Sequence, residues 1–179
     1  MSTPSLFVVL IGGLMRPTDA PTENGIGTLR LADGCLAALR RFRDAGYRLV
    51  LLIDPAADPG TDVEAFLDAL CASQDVPFAD RRRCGHVAAD GCDCALPGIG
   101  LVADVIADPG LDRRRSIVVG QGESIAPLAR AMGIHGVDLG GATDWSGIAH
   151  EALDQPRRAQ GPAGASAPQP EGTVVRANG

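Results

Sequence analysis

Three cysteines and one histidine fall within eleven residues, 84–94, of the segment "RRRCGHVAADGCDC": Cys84, His86, Cys92 and Cys94, spaced C-x-H-x5-C-x-C. Thiolate and imidazole are zinc ligands, and three of the first with one of the second complete a tetrahedron. A site filled in this way has no open position for water or substrate, so its chemistry is structural. Zinc binding of this kind supplies on the order of 10 kcal/mol for ordering a segment. Gly85 and Gly91 are expected to supply the tight turns that bring ligands one residue apart onto one ion. The alternative is a reduced, cysteine-rich surface loop. Cys35 and Cys71 sit in helical patterns and read as packing residues, whereas His135 and His150 stand alone and read as structural or surface residues.

The loop needs a scaffold. "SLFVVLIGGLM" is a continuous apolar run ending in glycines, the pattern of a strand buried on both faces, and an irregular stretch follows it. Asp33 is a plausible N-cap for a helix that puts Leu36, Ala38, Leu39 and Phe42 on one face, with Gly46 as its stop. "YRLVLLIDP" is a second buried strand, and 61–74 an amphipathic helix. After the Cys/His loop, Pro97 stands near the start of a helix and Gly110 beyond its end. Strand "SIVVGQG", helix "ESIAPLARAMG", strand "IHGVDLG" and helix "TDWSGIAHEAL" complete the order. Alternating strands and helices imply a parallel sheet covered on both faces, with ligand positions beyond the carboxyl ends of the strands. Those positions are 10–13, 53–55 and 120–123.

Bulk composition narrows the function classes. At 179 residues the chain holds one domain, 1–154, with a Pro/Ala/Gly-rich tail, 155–179, that reads as disordered. A net charge of -6 argues against general nucleic-acid binding, which needs a positive surface. Arginine runs at 81–83 and 113–115 read as solvated loop charges or local anion patches. No apolar segment is long enough to span a bilayer and the N-terminus lacks a basic signal region, so the expected compartment is the cytoplasm, where thiols stay reduced. All sixteen basic residues are arginine; the chain has no lysine.

Three segments together, "LADGCLAALRRFRDAGYRLVLLID", "CGHVAADGCDC" and "SIVVGQGESIAPLARAMG", resemble the zinc-containing branch of the haloacid dehalogenase superfamily, that of the heptose bisphosphate phosphatases and the histidinol-phosphatase domain. The resemblance covers roughly residues 6–140. It implies a Rossmann-like three-layer sandwich with a parallel central sheet and a zinc loop over 81–96. All four ligand positions of the family's C-P-H-H-P…C-D-C loop are filled; Gly85 and Val87 replace its Pro and second His. The resemblance also implies phosphoryl transfer through an aspartyl-phosphate with Mg2+, from four motifs at the strand ends.

Each of those motifs is altered. In D-x-D-G-T, Leu10 stands at the nucleophile, Gly12 at the acid/base and Leu14 at the Thr, and no acidic residue occurs before Pro17. Ile53 and Asp54 replace the phosphate-binding Thr/Ser and its Asn. Ala95 and Leu96 replace the basic pair after the zinc loop. Gln121 and Ile125 stand at the two Mg2+ carboxylates, with Glu123 at a different position. The implied function is that of a pseudophosphatase, a scaffold or regulator acting by binding a protein partner, with structural zinc and no Mg2+. Two alternatives stay open: a hydrolase of this type with altered chemistry around Asp54, Gln121 and Glu123, and a zinc-dependent module presenting the arginines at 81–83 to an acidic partner.

Overall fold

The structure is a computed structural model that describes residues 2–19, 25–55, 60–86, 92–140 and 144–154. Its elements, in chain order, are β1 (Ser5–Val9), a tight turn Leu10–Leu14, β2 (Met15–Pro17), β3 (Gly25–Ile26), β4 (Leu29–Leu31), α1 (Cys35–Asp44), β5 (Arg48–Ile53) and α2 (Thr61–Ser73). Then follow β6 (Asp80–Arg83), α3 (Ala103–Ala107), β7 (Ile117–Gly120), α4 (Ile125–Met132), β8 (His135–Asp138), α5 (Trp145–Ala149) and a wider turn, His150–Asp154. The expected tail, 155–179, lies outside the described residues.

The main sheet has five parallel strands in the order β6-β5-β1-β7-β8. In β1, β5 and β7 successive side chains feed opposite faces, and both faces are buried. Leu6, Val8, Leu49, Leu51, Ile117 and Val119 pack with Leu39 and Phe42 of α1, Leu67 of α2 and Trp145 of α5. Phe7, Val9, Val50, Leu52 and Val118 pack on the other side with Val105 of α3 and Leu128 and Met132 of α4. The result is the three-layer sandwich that the resemblance implies. From β1 the chain winds outward to β5 and β6, then returns past β1 to β7 and β8, so the direction switches between β1 and β7. Crevices of such sheets open at that point.

Several local expectations differ from the structure. The stretch after β1 is not irregular: β2, β3 and β4 form a separate antiparallel sheet, too short for periodicity to reveal. Asp33 does not cap α1; Gly34 holds that place with φ 74, and Asp33 pairs with Arg30 at 2.9 Å. Gly46 does stop the helix, at φ 82. Pro97 follows a cis bond in a turn, and α3 is five residues long and starts only at Ala103.

The arginines at 81–83 are a further correction, because they form β6 in register with residues 51–53 of β5. They are ion-paired within the chain, Arg81 with Asp68, Arg82 with Asp80 and Asp104, and Arg83 with Glu64. Charges along an edge strand also deter pairing with another sheet. The second run is engaged as well: Arg113 donates to the carbonyls of Ile106 and Met132, and Arg115 lies over the Tyr47 ring.

Candidate metal centre and the crevice at the switch point

Strand β6 delivers Cys84 directly after its last arginine, and the chain returns with Cys92 and Cys94 beneath it. One ligand atom from each of Cys84, His86, Cys92 and Cys94 lies within 4.8 Å of all the others. Cys84 Sγ stands 3.2 Å from His86 Nδ1 and 3.4 Å from Cys92 Sγ, and Cys94 Sγ is 3.9 Å from His86 Nδ1. A tetrahedral zinc with Zn–S about 2.3 Å and Zn–N about 2.0 Å requires separations of about 3.5 to 3.8 Å between its ligand atoms. The donor set and its spacing therefore fit such an ion. Here the expected function of Gly85 is corrected: its φ is not positive and a Cβ there would meet nothing within 4 Å. Gly91 and Val87 lie outside the described residues. The tight turn comes later in the chain, where Gly98 and Gly100 pack on Asp93 and Gly100 N donates to the Asp93 carbonyl at 2.6 Å.

The site is half-buried against the core. Cys94 is buried beside Leu101, Val102 and Val105, Cys84 and Cys92 are partly covered, and His86 is exposed. The Cys94 thiol is pushed up to about 12, by hydrogen bonding with Cys84 and then by burial. The backbone N–H of Cys94 and the Cys84 thiol draw Cys92 below the ordinary thiol value. Binding a divalent ion requires thiolates and so releases the protons that this network holds. Cys35 and Cys71 are buried in the helices, and burial raises both, Cys35 to about 12. They lie outside the cluster.

The crevice is a different environment. Leu10, Ile53 and Ile125 are each 1% exposed and their side chains belong to the core. The Leu10–Leu14 turn brings Gly12 against Gln121: a Cβ on Gly12 would stand 2.9 Å from Gln121 Cβ. Leu96 packs beside the metal loop on the α3/α4 side of the sheet. Asp54 is half-buried after β5, and Gln121 and Glu123 are exposed after β7. Because β1 lies between β5 and β7, Asp54 and Glu123 start from strands about 10 Å apart, too far to act as a close carboxylate pair without reaching across β1.

Two residues that shape this crevice carry no signal that sequence reasoning picked out. Asp138, at the end of β8, accepts from the backbone N–H groups of Gly122 at 3.0 Å and Gly140 at 2.8 Å, tying the loop after β7 to its neighbour. An Asp followed two residues later by Gly is the signature of such a turn. Trp145 Nε1 donates to the Gly13 carbonyl at 3.1 Å. Asp144 positions that tryptophan by accepting from Gly147 N at the start of α5.

No protein-family model matches the chain. It is similar to the histidine biosynthesis bifunctional protein HisB of Xanthomonas axonopodis pv. citri, 34% identical over 88% of this chain and 45% of that protein. HisB of Xylella fastidiosa matches at 33% over the same shares. The fold is similar to that of a D,D-heptose 1,7-bisphosphate phosphatase from B. bronchiseptica in complex with magnesium and phosphate, with TM-score 0.65, 18% identity, 84% of this chain and 98% of that one. The fold is that of the haloacid dehalogenase-like phosphatases. In sequence the chain is similar to the HisB proteins, and it spans less than half the length, 45%, of those it matches. Among the described residues, no helix of this haloacid dehalogenase fold is long and apolar enough to cross a membrane.

Proposed function

We propose that this chain is a catalytically inactive haloacid dehalogenase-fold protein that acts by binding, as a scaffold or regulator of a protein partner in the cytoplasm. The observation that carries this reading is the contrast between two sites. Four metal-ligating side chains converge on one point, while Leu10, Gly12, Ile53, Gln121 and Ile125 stand at the strand ends where phosphoryl transfer needs carboxylates and a hydroxyl, three of them buried in the core. Leucine has no lone pair with which to attack phosphorus. Without lysine, the phosphate cation at Leu96 has no substitute of its kind elsewhere in the chain. Loss of a nucleophile alone typically removes orders of magnitude in rate.

Cys84, His86, Cys92 and Cys94 would hold the zinc, which would supply structural cross-linking and no Lewis acid chemistry on a substrate, since all four positions are taken. Mg2+ has no carboxylate set to hold it at Gln121 and Ile125. The partner belongs, on this reading, to sugar-phosphate or surface-polysaccharide metabolism, and the negative net charge of -6 disfavours nucleic acid.

The names of the relatives favour a second reading, a phosphatase of the HisB or heptose bisphosphate type. The polar groups then available at the strand ends are Asp54, Gln121 and Glu123. Elemental analysis combined with a phosphatase assay separates the two. Zinc near one per chain, with no Mg2+-dependent hydrolysis of heptose bisphosphate, histidinol phosphate or a generic phosphomonoester, is the expected result. Hydrolysis that disappears in Asp54→Asn establishes the second reading instead.

A further inference from the structure

We infer that the crevice is sealed by its own backbone: the contact of Gly12 with Gln121 leaves no place for the acidic side chains of phosphoryl transfer, so putting those residues back does not re-create a phosphate and Mg2+ site. This rests on the reading of the chain as non-catalytic and extends it from side chains to main chain. Gly12 has φ 89 and ψ -31, a conformation that residues with a Cβ rarely adopt, outside even the left-handed helical basin that Asp tolerates. A Cβ added there meets Gln121 Cβ at 2.9 Å and Gln121 N at 3.4 Å, both on the loop that follows the neighbouring strand. Gly13 is equally close-packed, a Cβ lying 3.0 Å from the Val119 carbonyl. The turn after β1 and the loop after β7 are thus in close contact at Gly12 and Gln121.

The polar groups at this point are also in use. The Gly13 carbonyl is taken by Trp145 Nε1 and the Gly122 N–H by Asp138. An N–H already bonded to a carboxylate is a poor donor for an incoming phosphate, because the anion must displace a charge-assisted bond. Leu10 and Leu14, at 1% and 0% exposure, complete the seal from below as part of the core.

The first test assays the full chain beside a variant carrying Leu10→Asp, Gly12→Asp, Ile53→Thr, Leu96→Lys, Gln121→Asp and Ile125→Asp, with Mg2+ and a phosphomonoester. The seal predicts no turnover by either. Turnover by the variant alone overturns the seal and leaves the non-catalytic reading intact, whereas turnover by the wild type overturns both. Because Leu10, Ile53 and Ile125 are buried, that variant can fail to fold, and a second comparison then decides. Gly122 has φ 100 with nothing within 4 Å of its added Cβ, so Gly122→Ala carries the backbone strain without the contact. Gly12→Ala should lower Tm by roughly 3–8 °C more than Gly122→Ala, and Gln121→Gly should recover part of that difference. Equal shifts for the two alanines, or no recovery, contradict the seal.

Discussion

Trp145 Nε1 reaches the carbonyl of Gly13 at 3.1 Å, across 132 positions of chain, and both residues are buried. The last helix thereby fixes the turn that closes the first strand. An indole N–H is donor only, and a buried carbonyl left without its donor bears most of its desolvation cost. Trp145→Phe keeps the aromatic body and removes the donor. We expect it to destabilise the fold by about 1–3 kcal/mol in urea unfolding followed by circular dichroism. Since Trp145 is the single tryptophan, wild-type fluorescence should change in the same transition.

Arg82 joins β6 to α3. It donates to Asp80 at 2.6 Å and to Asp104 at 2.8 Å, with about a quarter of its side chain exposed, 24%. Burial works against the Asp104 carboxylate, but the hydrogen bond and charge of Arg82 hold it below the usual range. Arg82→Ala should cost about 1 kcal/mol, less than a deeply buried pair would, because Asp104 faces solvent and Asp80 keeps Arg48 at 3.0 Å. Denaturation in low and high salt checks this. The loss should shrink as salt screens the pair.

The Cys35 thiol gives a pH prediction. Burial raises it to about 12, above its value in the unfolded chain near 8.5 to 9. A group raised on folding contributes stability that is complete below the unfolded value and is lost as pH rises toward the folded one. Stability should therefore decline between about pH 9 and 12, and Cys35→Ala should flatten that decline relative to wild type when urea midpoints are compared across the range. An unchanged slope would falsify the assignment of the effect to Cys35.

What repeats or clusters in this chain is legible from its residues alone. The apolar runs of β1, β5 and β7 are buried on both faces, which is why they read as strands without alternation. The ligand cluster is legible because four residues of two rare types seldom fall within eleven positions by chance. Strand β6 is hidden by composition: three arginines in a row look solvated, yet their partners Asp68, Glu64 and Asp104 lie on the helices before and after the strand, beyond the reach of local pattern. The small β2–β4 sheet is hidden by length, since its strands have two or three residues each. At Gly12 the sequence displays only the missing side chain. Its backbone geometry depends on Gln121, more than a hundred residues later, and local pattern does not carry such a contact.

Metal removal should act on the loop before the sheet. Chelation, or Cys84→Ser, should abolish stoichiometric zinc and raise hydrogen exchange over residues 92–100 and at β6, while β1 and β7 keep their protection. Cys71→Ser should leave zinc bound, because Cys71 lies outside the cluster. Acidification should release the metal, since thiolates that hold an ion take up protons as pH falls. Elemental analysis after dialysis across a pH series reads this directly.

On the proposed reading, the fold of a phosphatase is present here without its reaction. Steady-state release of inorganic phosphate from a phosphomonoester, by the zinc-loaded full chain with Mg2+ added, measures it most directly. No release above a protein-free control is the predicted result. Release at a rate on the order of 1 s−1 or faster, the ordinary range for an enzyme, would contradict it.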